Sequence, residues 1–288
     1  MFENIKRMKK QDLRITGLVS KILLYVILII HSFIVLFPIY MMIAGSLKDR
    51  KEIFYSPYKF PVNFRIENLI DVIIRGNIGR NFFNSLLITT SAVIIILLVS
   101  SLISYALAKY EFKLNKLIYY SFVIGLFLPI RLGSINIVKN LIDLGLYDNL
   151  ASVIIINATL GLPLAVFILT DFIRMVPEEL SNSARIDGCS EPGIFLKIVL
   201  PLLKPAVITI VLFNTIRIWN DFWWSLLLIR DKNLRPITLA VSKYFGEHVA
   251  DYGKIFSVLT ISSMPLIIIY LILSRFYIRG LTGGAFKE

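Results

Sequence analysis

The segment Pro177-Glu178-Glu179-Leu180-Ser181-Asn182-Ser183-Ala184-Arg185-Ile186-Asp187-Gly188, followed by Phe195, Pro201 and Pro205, is a polar stretch between two apolar segments of membrane-crossing length. Its punctuation predicts a short helix, a break and a second helix. Pro177 fits the first helical position, Glu178 and Glu179 suit the positive end of the helix dipole, and Gly188 can end the helix. Leu180 and Ala184, four apart, share a face, and the small residue at 184 would let a partner surface approach closely. Asp187 and Gly188 form a turn pair, Gly supplying backbone freedom and Asp a local acceptor. From Ser190 to Val199 the chain can resume as a helix, with Pro192 tolerated in its first turn.

Outward from this loop, the chain reads as an integral membrane protein. Of its 288 residues 57% are hydrophobic and the mean hydropathy is +0.75, too apolar for a soluble domain of this size. A hydrocarbon core of roughly 30 Å needs about 20 apolar residues at 1.5 Å each. Six stretches qualify: Ile22 to Ile43, Leu86 to Ala108, Leu117 to Val138, Leu150 to Thr170, Ala206 to Ile229 and Ile255 to Ser274. The expected fold is all-α and polytopic, with a basic N-terminal segment (1–21), a six-helix domain (22–278) that includes the loop 174–204, and a C-terminal tail (279–288). The third and fifth stretches are interrupted, by Arg131 and by Arg217 with Asp221. The first apolar stretch, about 22 residues long, exceeds a signal-peptide core and is expected to be a retained helix.

With a cytoplasmic N-terminus, the inner segments would hold 16 Lys and Arg against 14 outside, which favours that topology only slightly. The net charge of +12 is spread over every loop rather than gathered on one helix or groove, which argues against nucleic acid as a partner. Cys189 is the single cysteine and excludes an intrachain disulfide. There is no Gly-rich phosphate loop ending in Gly-Lys-Ser or Gly-Lys-Thr, and two distant histidines with one cysteine make no zinc site. The chain thus reads as a membrane protein with no catalytic residues, metal or cofactor of its own.

Polar residues inside an apolar span face a bundle interior, a partner or a water-filled path. Arg217 and Asp221 are one turn apart in the fifth stretch, with Asn214, Trp219 and Asn220 nearby, in the outer half of the membrane by counting from Lys204. Two readings stand: a self-neutralising pair within a belt of Trp219, Trp223 and Trp224, or a helix lining the solute path. His31 and Pro38 fit a packed polar residue and a kink, since the first stretch holds no acid to relay a proton. Asp171 fits an interfacial anchor, and Arg131 can snorkel.

The loop resembles the EAA loop of permease subunits in binding-protein-dependent ABC importers, whose pattern is Glu-Ala-Ala, two residues, Asp-Gly, then a Phe and a Leu-Pro. Asn182, Ser183 and Ala184 stand at the three name-giving positions, and Asp187-Gly188, Phe195 and Leu200-Pro201 match. Asn182 departs from the pattern by lacking the carboxylate. Further pieces occur in order along the chain: Ser46-Leu47-Lys48, Asn84-Ser85, Ser104-Tyr105-Ala106-Leu107-Ala108-Lys109-Tyr110, Trp219-Asn220-Asp221-Phe222, and Gly280-Leu281-Thr282-Gly283-Gly284-Ala285-Phe286-Lys287. Together they are similar to the carbohydrate-uptake permeases related to the maltose system's second membrane subunit.

That resemblance implies a sugar importer in a bacterial or archaeal cytoplasmic membrane, both termini cytoplasmic. Its partners would be a second, non-identical permease, two copies of a cytoplasmic ATPase holding ATP and Mg, and an extracytoplasmic solute-binding protein. Glu179, Leu180, Ser183, Ala184, Asp187, Gly188, Phe195 and Pro201 would couple to the ATPase, and Gly283, Gly284 and Lys287 would reach it from the tail. Asn214, Arg217, Trp219, Asn220 and Asp221 are the candidate path residues. The reading from a different class is a self-contained, ion-coupled secondary transporter or channel. It would need intramembrane acids or an internal repeat; Asp221 alone qualifies, and no repeat is evident.

Overall fold

The computed structural model describes residues 2–244 and 251–285, with side chains over 20–244 and 251–272. Among the described residues the chain is helical and without strands. In chain order the helices are α1 (Phe2–Ser46), α2 (Arg50–Tyr55), α3 (Glu67–Arg75), α4 (Ile78–Lys109), α5 (Asn115–Gly125), α6 (Ser134–Asp143) and α7 (Leu150–Arg174). They continue with α8 (Glu178–Ile186), α9 (Glu191–Ile194), α10 (Leu200–Leu202), α11 (Lys204–Trp219), α12 (Trp223–Leu228), α13 (Ile237–Ala240) and α14 (Tyr252–Ala285).

Among the described residues four helical segments are long and apolar enough to cross a membrane: Ser20–Ser46, α4, α7 and Tyr252–Ile272. Two bent pairs bring the number to six if each counts as one span. Those pairs correct the expected third and fifth spans, neither of which is a continuous helix. The third turns by 86° between Asn115–Gly125 and Ile130–Asp143. Pro129 cannot donate to the preceding turn and disfavours helical backbone at Leu128, so the helix stops and restarts as a 3₁₀ turn at Ile130–Gly133. The fifth starts at Lys204, after a 74° bend from Glu191–Leu202, and ends at Trp219 rather than Ile229. There the helix breaks, and the Asp221 carboxylate accepts from the Trp224 amide, in the first turn of α12, at 3.3 Å. The basic N-terminal residues 2–21, expected as a separate segment, continue the backbone of α1.

The main core lies where α4, α7 and α11 meet, built from Ile88, Ala92 and Ile96, from Val153, Ala165 and Leu169, and from Ala206 and Ile210. Apolar side chains alone give helices in lipid little reason to associate, so close approach and hydrogen bonds between helices matter. Gly161 supplies the approach: a Cβ there would lie 2.3 Å from Ile96 Cδ1 and 2.5 Å from Asn214 Oδ1. The Ser104 hydroxyl supplies a bond, donating to the Val166 carbonyl at 3.2 Å and joining α4 to α7. A smaller cluster of Val72, Ile78, Trp219, Ile237, Ala240 and Val258 ties α3, α13 and α14 to the other side of α11. By contrast, Ile22 to Leu36 of α1 present exposed apolar side chains, the surface expected against lipid or a neighbouring subunit.

Candidate coupling loop and intramembrane polar cluster

Helix α8 projects from the end of α7. Pro177 is its N-cap, with φ −55° and ψ 134°, rather than the first helical residue it was expected to be; Glu178 and Glu179 occupy the first turn. Gly188, at φ +79°, ends the segment in the left-handed region that other residues adopt at a cost. The Cys189 amide then donates to the Ala184 carbonyl at 2.9 Å, capping the helix end.

The helix has two faces. Ser181 and Ala184 are buried, and Ala184 belongs to the main core, so its small volume serves the chain's own packing rather than the approach of a partner, as had been expected. Glu179, Leu180, Asn182, Ser183, Ile186 and Asp187 face outward, with Ile186 86% and Met175 74% exposed. Ile186 is carried by α8 itself, and Met175 is the C-cap of α7, just before it. Phe195 lies in a π-helical turn, Phe195–Val199, and stacks edge-on against Tyr105 at 5.1 Å. Pro201 is exposed in α10. The Arg185 guanidinium is held above its ordinary range by its hydrogen bond to the Glu191 carboxylate.

The second constellation is in the membrane. Arg217 and Asp221 are bridged by Asn157 of α7. The Arg217 guanidinium donates to Asn157 Oδ1 at 3.2 Å, to the Asn157 carbonyl at 2.6 Å and to Asn214 Oδ1 at 3.3 Å. Asn157 Nδ2 in turn donates to the Val153 carbonyl at 3.1 Å and to Asp221 Oδ2 at 3.2 Å. Asn157 is fully buried, and each of its side-chain atoms is used. Such a closed network is how opposite charges persist in an apolar interior.

Two cavities meet at Arg217. One, about 640 Å³, is lined mostly by apolar residues with Asn214 and Tyr270. The other, about 880 Å³, is lined by Arg131, Asn220, Asp221, Trp223 and Trp224 among others. Arg217, Leu126 and Leu160 border both. Four of the five candidate path residues therefore line a cavity. Trp219 does not: its indole donates to the Ser262 carbonyl at 2.9 Å and its ring stacks edge-on with Phe82 at 5.5 Å, on the opposite side of α11.

Of the expected tail contacts, Gly283 and Gly284 continue the backbone of α14, and Lys287 lies outside the described residues. Three residues that matter escaped the reading of the sequence. Asn157 could have been flagged as a lone amide in the middle of an apolar span. Glu191, which gathers Arg185, Tyr105 and Tyr110, has no comparable signal. Lys48, noted only within a motif, is 1% exposed and donates to the Ser56 and Pro57 carbonyls at 3.0 and 2.7 Å. Burial draws its ammonium below the ordinary lysine range, against the opposing pull of Glu52.

Residues 101–283 match the family model described as the binding-protein-dependent transport system inner membrane component. The melibiose/raffinose/stachyose import permease protein MelC of Bacillus subtilis (strain 168) is 31% identical over 87% of this chain and 91% of its own length. The diacetylchitobiose uptake system permease protein NgcG of Streptomyces coelicolor is 29% identical over 91% of this chain and 88% of its own. The arabinooligosaccharides transport system permease protein AraQ of Bacillus subtilis (strain 168) is 30% identical over 93% and 96%. The fold is shared with a chain in the crystal structure of a bacterial ABC transporter that imports the acidic polysaccharide alginate, at a TM-score of 0.80 and 22% identity, covering 92% of this chain and 97% of the other. A matched region of this extent, together with the four to six membrane-crossing segments, makes this chain a member of the binding-protein-dependent transport system inner membrane component family: a multi-pass permease subunit of an ABC importer.

Proposed function

We propose that this subunit forms, with a second and non-identical permease, the membrane path by which an importer takes up a sugar or oligosaccharide. Two copies of a separate ATPase bind beneath it, hold ATP and Mg, and hydrolyse the nucleotide; an extracytoplasmic binding protein delivers the solute. The observation that carries this reading is α8: a capped helix between membrane segments, buried on one face and offering Leu180 and Ile186 on the other. Closure of the ATPase dimer moves α8 as a rigid body and turns the membrane helices with it. Since α8 meets a cytoplasmic partner, both termini lie in the cytoplasm, in a bacterial or archaeal cytoplasmic membrane. Asn214, Arg217, Asn220 and Asp221 border the solute path, and the tail through Gly283, Gly284 and Lys287 reaches toward the ATPases. Family membership sets aside the ion-coupled alternative.

The test is purification of the tagged chain in mild detergent with mass spectrometry of what stays bound. Recovery of a second permease and an ATPase is the expected result, and stimulation of that ATPase by candidate sugars with binding protein then names the substrate class. Recovery of the chain alone, with ion-driven flux in ATP-free vesicles, overturns the proposal.

A further inference from the structure

Glu191 opens α9, three residues beyond the end of the docking helix at Gly188. Donors from two other helices, α8 and α4, converge on its carboxylate. Oε1 accepts from Arg185 Nε of α8 at 2.6 Å. Oε2 accepts from the hydroxyl of Tyr105, in the last turns of α4, at 3.0 Å, and from that of Tyr110 at 3.4 Å. Arg185 is itself steadied by Asn182, whose Oδ1 accepts from Nη1 at 2.7 Å one turn earlier on α8. Tyr105 is buried, and its ring packs on Phe195, so the hydroxyl is aimed at Glu191 by a fixed ring.

The covalent link that Glu191 spans is open. Gly188, Cys189 and Ser190 are exposed, and a Cβ at Gly188 would meet nothing within 4 Å. The joint itself is thus braced by little packing, and besides its buried face at Ser181 and Ala184 α8 depends on bonds that cross it. The Arg185–Glu191 bridge crosses it, and the Tyr105 and Tyr110 bonds carry the connection into α4. From α4 it continues through the Ser104 bond and the shared core into α7, the helix that holds Asn157.

We propose that Glu191 is a positioning residue that clamps α8, α9 and the inner end of α4 into one mechanical body, so that displacement of α8 reaches the membrane helices instead of being lost at Gly188. The proposal rests on α8 being the seat of the ATPase. Its test uses the importer complex with its native partner subunits, Cys189 replaced by Ser, and nitroxide labels at Glu178→Cys on α8 and Leu102→Cys on α4. The distance distribution between the labels is read with and without ATP and vanadate. One narrow distance, unchanged by nucleotide, is expected; in E191A the distribution widens by about twofold, with E191Q and Y105F intermediate. The ATPase subunit stays bound in each. An E191A distribution as narrow as the parent's, or a parent distance that shifts with nucleotide, overturns the clamp. Loss of the ATPase from E191A overturns it as well, by making Glu191 part of the docking surface. Failure of the parent chain to hold any ATPase counts instead against the reading of α8.

Discussion

Helix α8 and the cluster around Asn157 are built from the same kinds of residue, an arginine, an acid and an asparagine, and they use them in opposite ways. In the membrane, Asn157 joins Arg217 to Asp221, and the further bonds of these residues and of Asn214 go to groups of the same helix bundle. In the loop, Arg185 pairs with Glu191 and with Asn182 at the edge of solvent, and Leu180 and Ile186 stand exposed beside them. The first arrangement holds its own protein together. The second braces a helix whose apolar side chains stay exposed, the surface we propose for the ATPase. The same kinds of side chain therefore join the bundle interior in one place and steady an exposed helix in the other.

The sharpest way to break that comparison is Asn157→Leu. It removes the Oδ1 acceptor from Arg217 and the Nδ2 donor from Asp221, while the backbone carbonyl of residue 157 and both charges stay in place. The expected loss is roughly 3–5 kcal/mol, read as a lowered thermal midpoint of the purified complex. A midpoint equal to the parent's would mean that the cluster is not what secures α7 to α11. Gly188→Val comes next. A β-branched residue in the left-handed region adds about 1–3 kcal/mol of strain with no clash to relieve. The expected signature is functional rather than structural, an assembled complex in which ATP hydrolysis no longer drives uptake. Normal coupled uptake would show that the joint tolerates any backbone. Smallest in stability is the double change Leu180→Ser with Ile186→Ser, which alters exposed side chains and should shift stability within about 0.5 kcal/mol. Retention of the ATPase on purification should nonetheless fall. Full retention would place the docking surface elsewhere and dissolve the contrast between the two regions.

Much of the fold was legible because membrane spans announce themselves by length and apolarity. The stretches at Ile22, Leu86, Leu150 and Ile255 all became continuous helix. The two that failed to do so contain the residues that could have warned of it: Pro129, which stops α5 from continuing, and Asp221, which prefers to cap a helix than to sit within one. The loop was legible for a similar reason, since Pro177, the paired glutamates and Gly188 are local signals with local effects. Less legible was which side of each helix faces inward. Spacing put Leu180 and Ala184 on one face, yet Leu180 is 45% exposed and Ala184 7%. Trp219 turned out to look away from the cavities that its neighbours Arg217 and Asn220 border.

The sequence by itself determined the solvent, the approximate spans, the break and restart around Asp187-Gly188, and the family to which the motifs belong. These follow from composition and from backbone preferences that act within a few residues. Only the tertiary structure decided that Asn157 joins Arg217 to Asp221 across 64 positions of chain, and that Glu191 gathers Arg185 and Tyr105 from two other helices. A hydrogen bond between distant segments depends on where whole helices are set by packing, and no local preference encodes that placement.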